Sequence, residues 1–330
     1  MIEYKAFEMH SHTFHSDGTF SVESLCQACK VRELDGVALT DHNTMSGWEE
    51  ITPALEEQTL PVIRGIEWTT FYGHMLVIGA DRYVDWRLAT PENIDRFTEA
   101  ISAANGAVGI AHPFSLGSPF CTGCHWEFRV KEWKNIHYVE VWSGPFPLFE
   151  PYNEPGFQMW TDLLNQGHRL AASCGIDWHE NDLEENHHMP VTCLGVENGE
   201  VSTRTAREAL RAGRVYVTGG PALDFQIEQS GKRHGLGAAV NSGAATLLWG
   251  VDQTARTSQW NSFGLIPRRV AFIQNGGEVL SIELSGQEKE KGQTAYELWP
   301  GWIRLELYGD YQGRADQLLG FTSPIYVEKD

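Results

Sequence analysis

The chain has no apolar stretch long enough to cross a bilayer, for which about 20 consecutive apolar residues are needed. It is also poor in basic residues. Lys and Arg number 25 against 44 Asp and Glu, a formal net charge of -19 over 330 residues. Long nucleic acid is therefore not an expected partner, because neutralising a phosphate backbone takes clustered cations. A small anionic substrate stays compatible if bound divalent cations reverse the field locally. The opening residues, Met1-Ile2-Glu3-Tyr4-Lys5, show neither the basic nor the apolar region of a secretory signal, so the expected location is the cytoplasm. Low-complexity runs are absent, and 42% hydrophobic residues suit a soluble globular enzyme with a sizeable core.

Cysteine is sparse, with six residues, four of them in the close pairs Cys26/Cys29 and Cys121/Cys124. The second pair runs into His125, the haem c attachment pattern, which needs an export route that nothing here provides. A zinc site combining both pairs would require the sequence to bring them together, and it gives no such sign. Reduced thiols are expected, with Cys26 and Cys29 on a buried helix face.

What the sequence does have is a dense opening stretch, Glu8-Met9-His10-Ser11-His12-Thr13-Phe14-His15-Ser16-Asp17-Gly18. In an extended strand, side chains two apart point the same way, so His10 and His12 present both imidazoles on one side. Asp17 sits in a turn-like Ser-Asp-Gly and can swing back toward them. Alone, such a pair reads as a surface strand. Matching pieces downstream change that reading.

Taken in order, helix is expected over 21–34, 46–57, 91–105, 156–165 and 203–212, and strand over 37–40, 60–66, 74–79, 107–111, 138–142 and 169–176. Residues 114–135 read as a long loop. Short apolar strands alternating with helices argue for a parallel sheet buried on both faces, a barrel or a doubly wound sheet. His42, Glu67, His112, Asp177 and His179 fall at or just after strand ends, where a barrel collects its catalytic groups. His74 departs from this by starting its strand. Beyond about 221 the grammar turns to strand-length segments (222–229, 244–251, 269–274, 278–284, 302–308 and 319–327) without helices, as in a small antiparallel β-sandwich. Two domains follow, 1–221 and 222–330.

The candidates His10, His12, Asp17, His42, Glu67, His74, His112, Asp177 and His179 include six of the 13 histidines. Nine such ligands exceed what one tetrahedral ion can use, and imidazole with carboxylate suits Zn, Mn or Fe. Two or three divalent ions are expected.

The motifs Thr40-Asp41-His42-Asn43, Gly65-Ile66-Glu67, Ala111-His112-Pro113 and Asp177-Trp178-His179, with the opening stretch, resemble those of the PHP (polymerase and histidinol phosphatase) metallohydrolases. The closing Thr322-Ser323-Pro324-Ile325-Tyr326-Val327 looks like the CehA/McbA branch. The resemblance implies a distorted (β/α)7 barrel followed by the all-β sandwich. It implies that His10, His12, Glu67 and Asp177 hold one ion, that Glu67 bridges to a second completed by His74 and His112, and that Asp17, His42 and His179 hold a third.

Such a centre would turn a metal-bridging water into hydroxide at neutral pH and bind the oxygens of an electrophile. Hydrolysis of a small phosphomonoester or phosphodiester is the expected reaction. Carbamate or carboxylic ester hydrolysis is the alternative, and a catalytically idle binding protein is a third. Glu67 and Asp177 would be central to turnover. Asp41 is a candidate to accept a ring N–H of His42 or to cap the following segment, Glu140 stands at the same rim, and His15 is a candidate proton donor or a solvated turn histidine. Arg64 and Arg129 are candidate phosphate clamps. Trp126, Phe128 and Trp133 could roof a pocket or pack under the loop, and His187 and His188 read as solvated. The oligomeric state is not readable.

Overall fold

A computed structural model describes residues 1–117, 121–180 and 188–329. Seven strands lie side by side in chain order within one large sheet: β1 (Ile2–Ser11), β2 (Gly36–Leu39), β3 (Val62–Thr69), β4 (His74–Ile78), β5 (Ala107–Ile110), β6 (Tyr138–Ser143) and β7 (Ala171–Gly175). β2 and β4 to β7 are buried along their whole length, as expected of strands covered on both faces. β1, β2 and β3 pair in parallel, as do β5, β6 and β7. β4, however, runs antiparallel to both β3 and β5. Only residues 70–73 join β3 to β4, too short a connection for a parallel crossover. Past β7 the chain returns to β1: Ser11 bridges Trp178, His12 N–H donates to Trp178 O at 2.8 Å, and Trp178 N–H donates to His10 O at 2.9 Å.

Helices α1 (Val22–Val31), α2 (Pro53–Gln58), α3 (Ile94–Ala103) and α4 (Asn153–Asn165) fill the connections. α1 opens on a capping box between Ser21 and Ser24, which satisfies free N–H groups at its start. The helix expected over 46–57 is broken in two. Ser46–Glu50 is a 3-10 turn, and Thr52 caps α2 afresh with Pro53 in its first turn. α4 starts earlier than the expected 156.

Among the described residues, five strands were not foreseen: Lys232–His234, Ala239–Asn241, Lys289–Leu298 and two that precede them. β8 (Val191–Glu197) pairs antiparallel with β1, from Ile2 opposite Glu197 to Phe7 opposite Thr192, and β9 (Val215–Thr218) pairs antiparallel with β8. Between them lies α5 (Thr203–Arg211), held by a second capping box at Ser202. The carboxy-terminal strands are β10 (Ala222–Gln229), β11 (Lys232–His234), β12 (Ala239–Asn241), β13 (Gly243–Asp252), β14 (Ile266–Gln274), β15 (Gly277–Glu283), β16 (Lys289–Leu298), β17 (Gly301–Tyr311), β18 (Arg314–Thr322) and β19 (Ile325–Glu328). β10, β11, β13 and β16 make a separate four-stranded sheet, whereas the others extend the large sheet through β18 against β9. The two sheets meet through side chains such as Phe225 and Phe272, ring centroids 5.6 Å apart.

Two buried polar groups tie β17 to residues earlier in the chain. Arg304 pairs with Glu306 at 2.7 Å, donates to Thr161 Oγ1 and lies over the rings of Phe157, Trp160 and Trp302. His188, expected to be solvated, is buried between Tyr311 OH and the Gly219 carbonyl. His187 lies outside the described residues. Cys26 and Cys29 are buried on α1, but Cys121 and Cys124 are joined as a disulfide rather than held as free thiols.

Candidate metal centre

The strands bring all nine expected ligands to one rim. Each lies close enough to others for their donor atoms to share a cation: His10, His12, Glu67 and Asp177 form one group, Glu67, His74 and His112 a second, and His12, Asp17, His42 and His179 a third. The group of His10, His112 and Glu140 is equally close. His74, the apparent exception at the start of its strand, is explained by topology. β4 runs against its neighbours, so its first residue stands at the rim where the parallel strands end.

Glu67, fully buried, is shared by the first two groups. Its Oε1 faces His74 Nδ1 at 2.8 Å and His112 Nε2 at 3.2 Å, and its Oε2 faces His10 Nε2 at 3.3 Å, His12 Nε2 at 3.4 Å and His42 Nδ1 at 2.8 Å. Asp177 Oδ1 lies 3.1 Å from His10 Nε2 and 3.0 Å from His12 Nε2. Asp17 approaches His179 Nε2 at 3.3 Å and His42 Nε2 at 3.5 Å.

The outer ring nitrogens have acceptors of their own. His10 Nδ1–H donates to Glu140 Oε1, 3.1 Å; His74 Nε2–H to the Thr122 carbonyl, 3.1 Å; His112 Nδ1–H to the Cys124 carbonyl, 3.3 Å; and His179 Nδ1–H to the Asp177 carbonyl, 2.8 Å. His42 Nδ1 lies 2.6 Å from the Thr69 hydroxyl as well as 2.8 Å from Glu67 Oε2. With a proton on the outer nitrogen, the inner nitrogens of His10, His74, His112 and His179 would offer lone pairs toward the carboxylates. The buried atoms His10 Nε2, His12 Nδ1 and Nε2, Glu67 Oε2 and Asp177 Oδ1 have no hydrogen-bond partner. Lone pairs converging on carboxylates repel one another unless cations or extra protons lie between them, and this donor set fits divalent cations.

The charge balance agrees. Burial alone would lower the affinity of His10 for a proton, yet Asp177, Glu140 and Glu67 hold its pKa well above the usual value. His112 is raised to about 9, with Glu67 outweighing burial. Glu67 and Asp177 are held down against burial by the surrounding imidazoles, His10 foremost. His12 is lowered by burial. His112 and Asp177 also have φ of +25° and +54°, backbone values rare for residues with a side chain and common at functional sites.

Around the ligands the expected partners sort differently. Glu140 takes the His10 ring N–H and the His112 backbone N–H. Asp41 does not touch His42; it accepts from Thr13 N, Thr13 Oγ1 and Ser16 Oγ and so fixes the loop that carries Asp17. His15 has both ring nitrogens engaged, by Ser46 at 2.8 Å and Glu50 at 2.7 Å, which leaves none for a leaving group. Arg64 lies over the Trp48 ring and Arg129 pairs with Glu92 at the surface. Trp126 and Phe128 pack on each other and Phe128 on Trp68, while Trp133 stacks on His168.

Glu8 was overlooked. Its Oε1 accepts from His10 N at 2.8 Å and Ile176 N at 3.0 Å, tying the ends of β1 and β7 together. Burial raises its pKa to about 8. The signal was the strand period, since Glu8, His10 and His12 share one face. The carbonyls of Thr122 and Cys124 carry no signal in residue identity.

Residues 8–111 match the family model of the PHP domain. The match stops one residue before His112, so the places of His112, Glu140, Asp177 and His179 rest on the geometry above. No curated protein matches the chain. A solved two-domain protein from Bacteroides vulgatus, described as containing a predicted PHP-like metal-dependent phosphoesterase, is 15% identical with a TM-score of 0.56, covering 98% of this chain and 96% of that one. A Bifidobacterium adolescentis protein described as a metal-dependent phosphoesterase gives 19% identity and a TM-score of 0.40 over 64% of this chain and 97% of its own. An amidohydrolase from Chromobacterium violaceum with bound sulfate and no metal gives 16% and 0.39 over 62% and 96%. Among the described residues no helix is long and apolar enough to cross a membrane. The amino-terminal part of this chain, matched over residues 8–111, is a PHP domain.

Proposed function

We propose that the chain is a metal-dependent phosphoesterase acting on a small phosphomonoester or phosphodiester. His10, His12, Glu67 and Asp177 hold one divalent ion, Glu67, His74 and His112 a second, and Asp17, His42 and His179 a third, the metals being Zn, Mn or Fe. The observation that carries this reading is Glu67, whose two oxygens face separate sets of imidazole nitrogens. Bound ions would supply Lewis acidity and lower the pKa of a water, the chemistry that ester hydrolysis needs. Glu140 and the carbonyls of Thr122, Cys124 and Asp177 orient the rings, and Asp41 fixes the loop bearing Asp17. The centre belongs to residues 1–221, with 222–330 as a flanking unit.

The description of the Bacteroides vulgatus protein, which shares the fold, supports the choice of phosphoesters. The test is turnover of nitrophenyl phosphate, bis-nitrophenyl phosphate and nitrophenyl acetate by metal-loaded protein. Silence on both phosphoesters with cleavage of the acetate would move the assignment to carboxylic or carbamic esters, as in the CehA/McbA branch. Silence on all three would favour a binding role.

A further inference from the structure

Cys121 and Cys124 are joined as a disulfide with Cα atoms 5.5 Å apart. The small ring they close carries the two carbonyls that accept the outer N–H groups of His74 and His112, at Thr122 and Cys124. Gly123, φ +76°, lies so close to the turn before β4 that an added Cβ would stand 1.8 Å from the Thr70 carbonyl oxygen. The ring is thus wedged against the site, and no regular element holds it there. Cys121 is partly exposed and Cys124 is buried, as are the four free cysteines.

We propose that Cys121 and Cys124 form a redox site whose state sets how firmly the group of Glu67, His74 and His112 holds a divalent ion; this rests on the metal-centre reading above. A thiolate from a small thiol or dithiol reductant attacks the sulfur of Cys121, the more open of the two, and the S–S bond breaks. Cys124 leaves as a thiolate and takes up a proton. A second thiol then displaces the mixed disulfide, so the pair gains two electrons and two protons and the reductant leaves as its own disulfide. Opening the ring frees the Thr122 and Cys124 carbonyls from their fixed spacing. Outer partners of metal-bound histidines are worth roughly 10- to 100-fold in metal affinity, and a loss in that range is expected on reduction.

The experiment equilibrates the full chain across ratios of reduced to oxidised glutathione and counts open thiols by alkylation and mass spectrometry. Mn²⁺ affinity is measured on the same samples from the free-ion EPR signal. The wild type should lose about tenfold or more in affinity for one ion as the pair opens. The double variant Cys121→Ser/Cys124→Ser should bind weakly at every ratio. Gly123→Ala, in which the ring is lifted with its disulfide intact, should bind like the reduced wild type. Unchanged Mn²⁺ affinity in samples whose pair is shown to be open would overturn the proposal, as would a pair that stays reduced in oxidised glutathione alone. Failure to take up Mn²⁺ in any state would overturn the metal-centre reading and this proposal with it.

Discussion

Glu67 stands within 3.4 Å of nitrogens from five imidazoles, and a carboxylate so placed must be balanced by protons or by a cation. The buried Glu67 Oε2, His10 Nε2 and Asp177 Oδ1, which have no hydrogen-bond partner, suit the cation. Glu67→Gln preserves shape while removing the charge. Its loss of activity and of bound metal, read by turnover and elemental analysis, should exceed the roughly 10- to 100-fold typical of an outer partner. Glu140 is such a partner. Glu140→Ala should weaken metal binding within that range, and a competitive metal titration checks it; retention of full affinity would remove Glu140 from the site. At this scale much was legible. The strand period placed His10 beside His12 and Asp177 beside His179, whereas the partners of Asp41 were not readable, because adjacency in sequence does not tell which loop a carboxylate faces.

β1 and β7 meet more closely than any sequence pattern could reveal. A Cβ added at Gly175 would stand 2.5 Å from His10 Cβ and 2.8 Å from Glu140 Oε1. Gly175→Ala should therefore push His10 aside, at a stability cost of about 1–3 kcal/mol for overpacking and with loss of metal; a urea midpoint and a metal count on the same preparation test both. The strands that end in ligands were readable as short apolar runs closing on His or Asp. β8 and β9 were not, because they contribute no candidate ligand, and β8 takes its register from β1, far away in sequence, while β9 pairs in turn with β8. The reversal of β4 was present in the sequence only as the oddity of a ligand at a strand's first residue.

The fold as a whole hides titratable groups that the site does not use. His188 is kept neutral by burial, its pKa lowered to about 4, with Nε2–H given to the Gly219 carbonyl. Between that value and about 6.5 the unfolded chain binds the extra proton and the folded chain does not. Stability from this group is complete above about 6.5 and is lost as pH falls toward 4, up to roughly 3 kcal/mol. Denaturant melts of the wild type and His188→Gln at pH 7 and pH 5 should show the larger drop in the wild type; equal drops would refute the assignment. Arg304 and Glu306 form a buried pair under the α4 aromatics. Arg304→Ala should cost about 3–5 kcal/mol by stranding the carboxylate, and restoring part of that loss with a second change, Glu306→Gln, identifies the cause.

The pairing of Tyr216, Val217 and Thr218 with Thr322, Phe321 and Gly320 bears on how this polypeptide can be dissected. Stopping synthesis at residue 221 would strip the ladder from one side of β9 and leave an open seam to which like molecules adhere. Fragments ending there should therefore collect as insoluble material, and supplying residues 222–330 as a separate polypeptide should recover them.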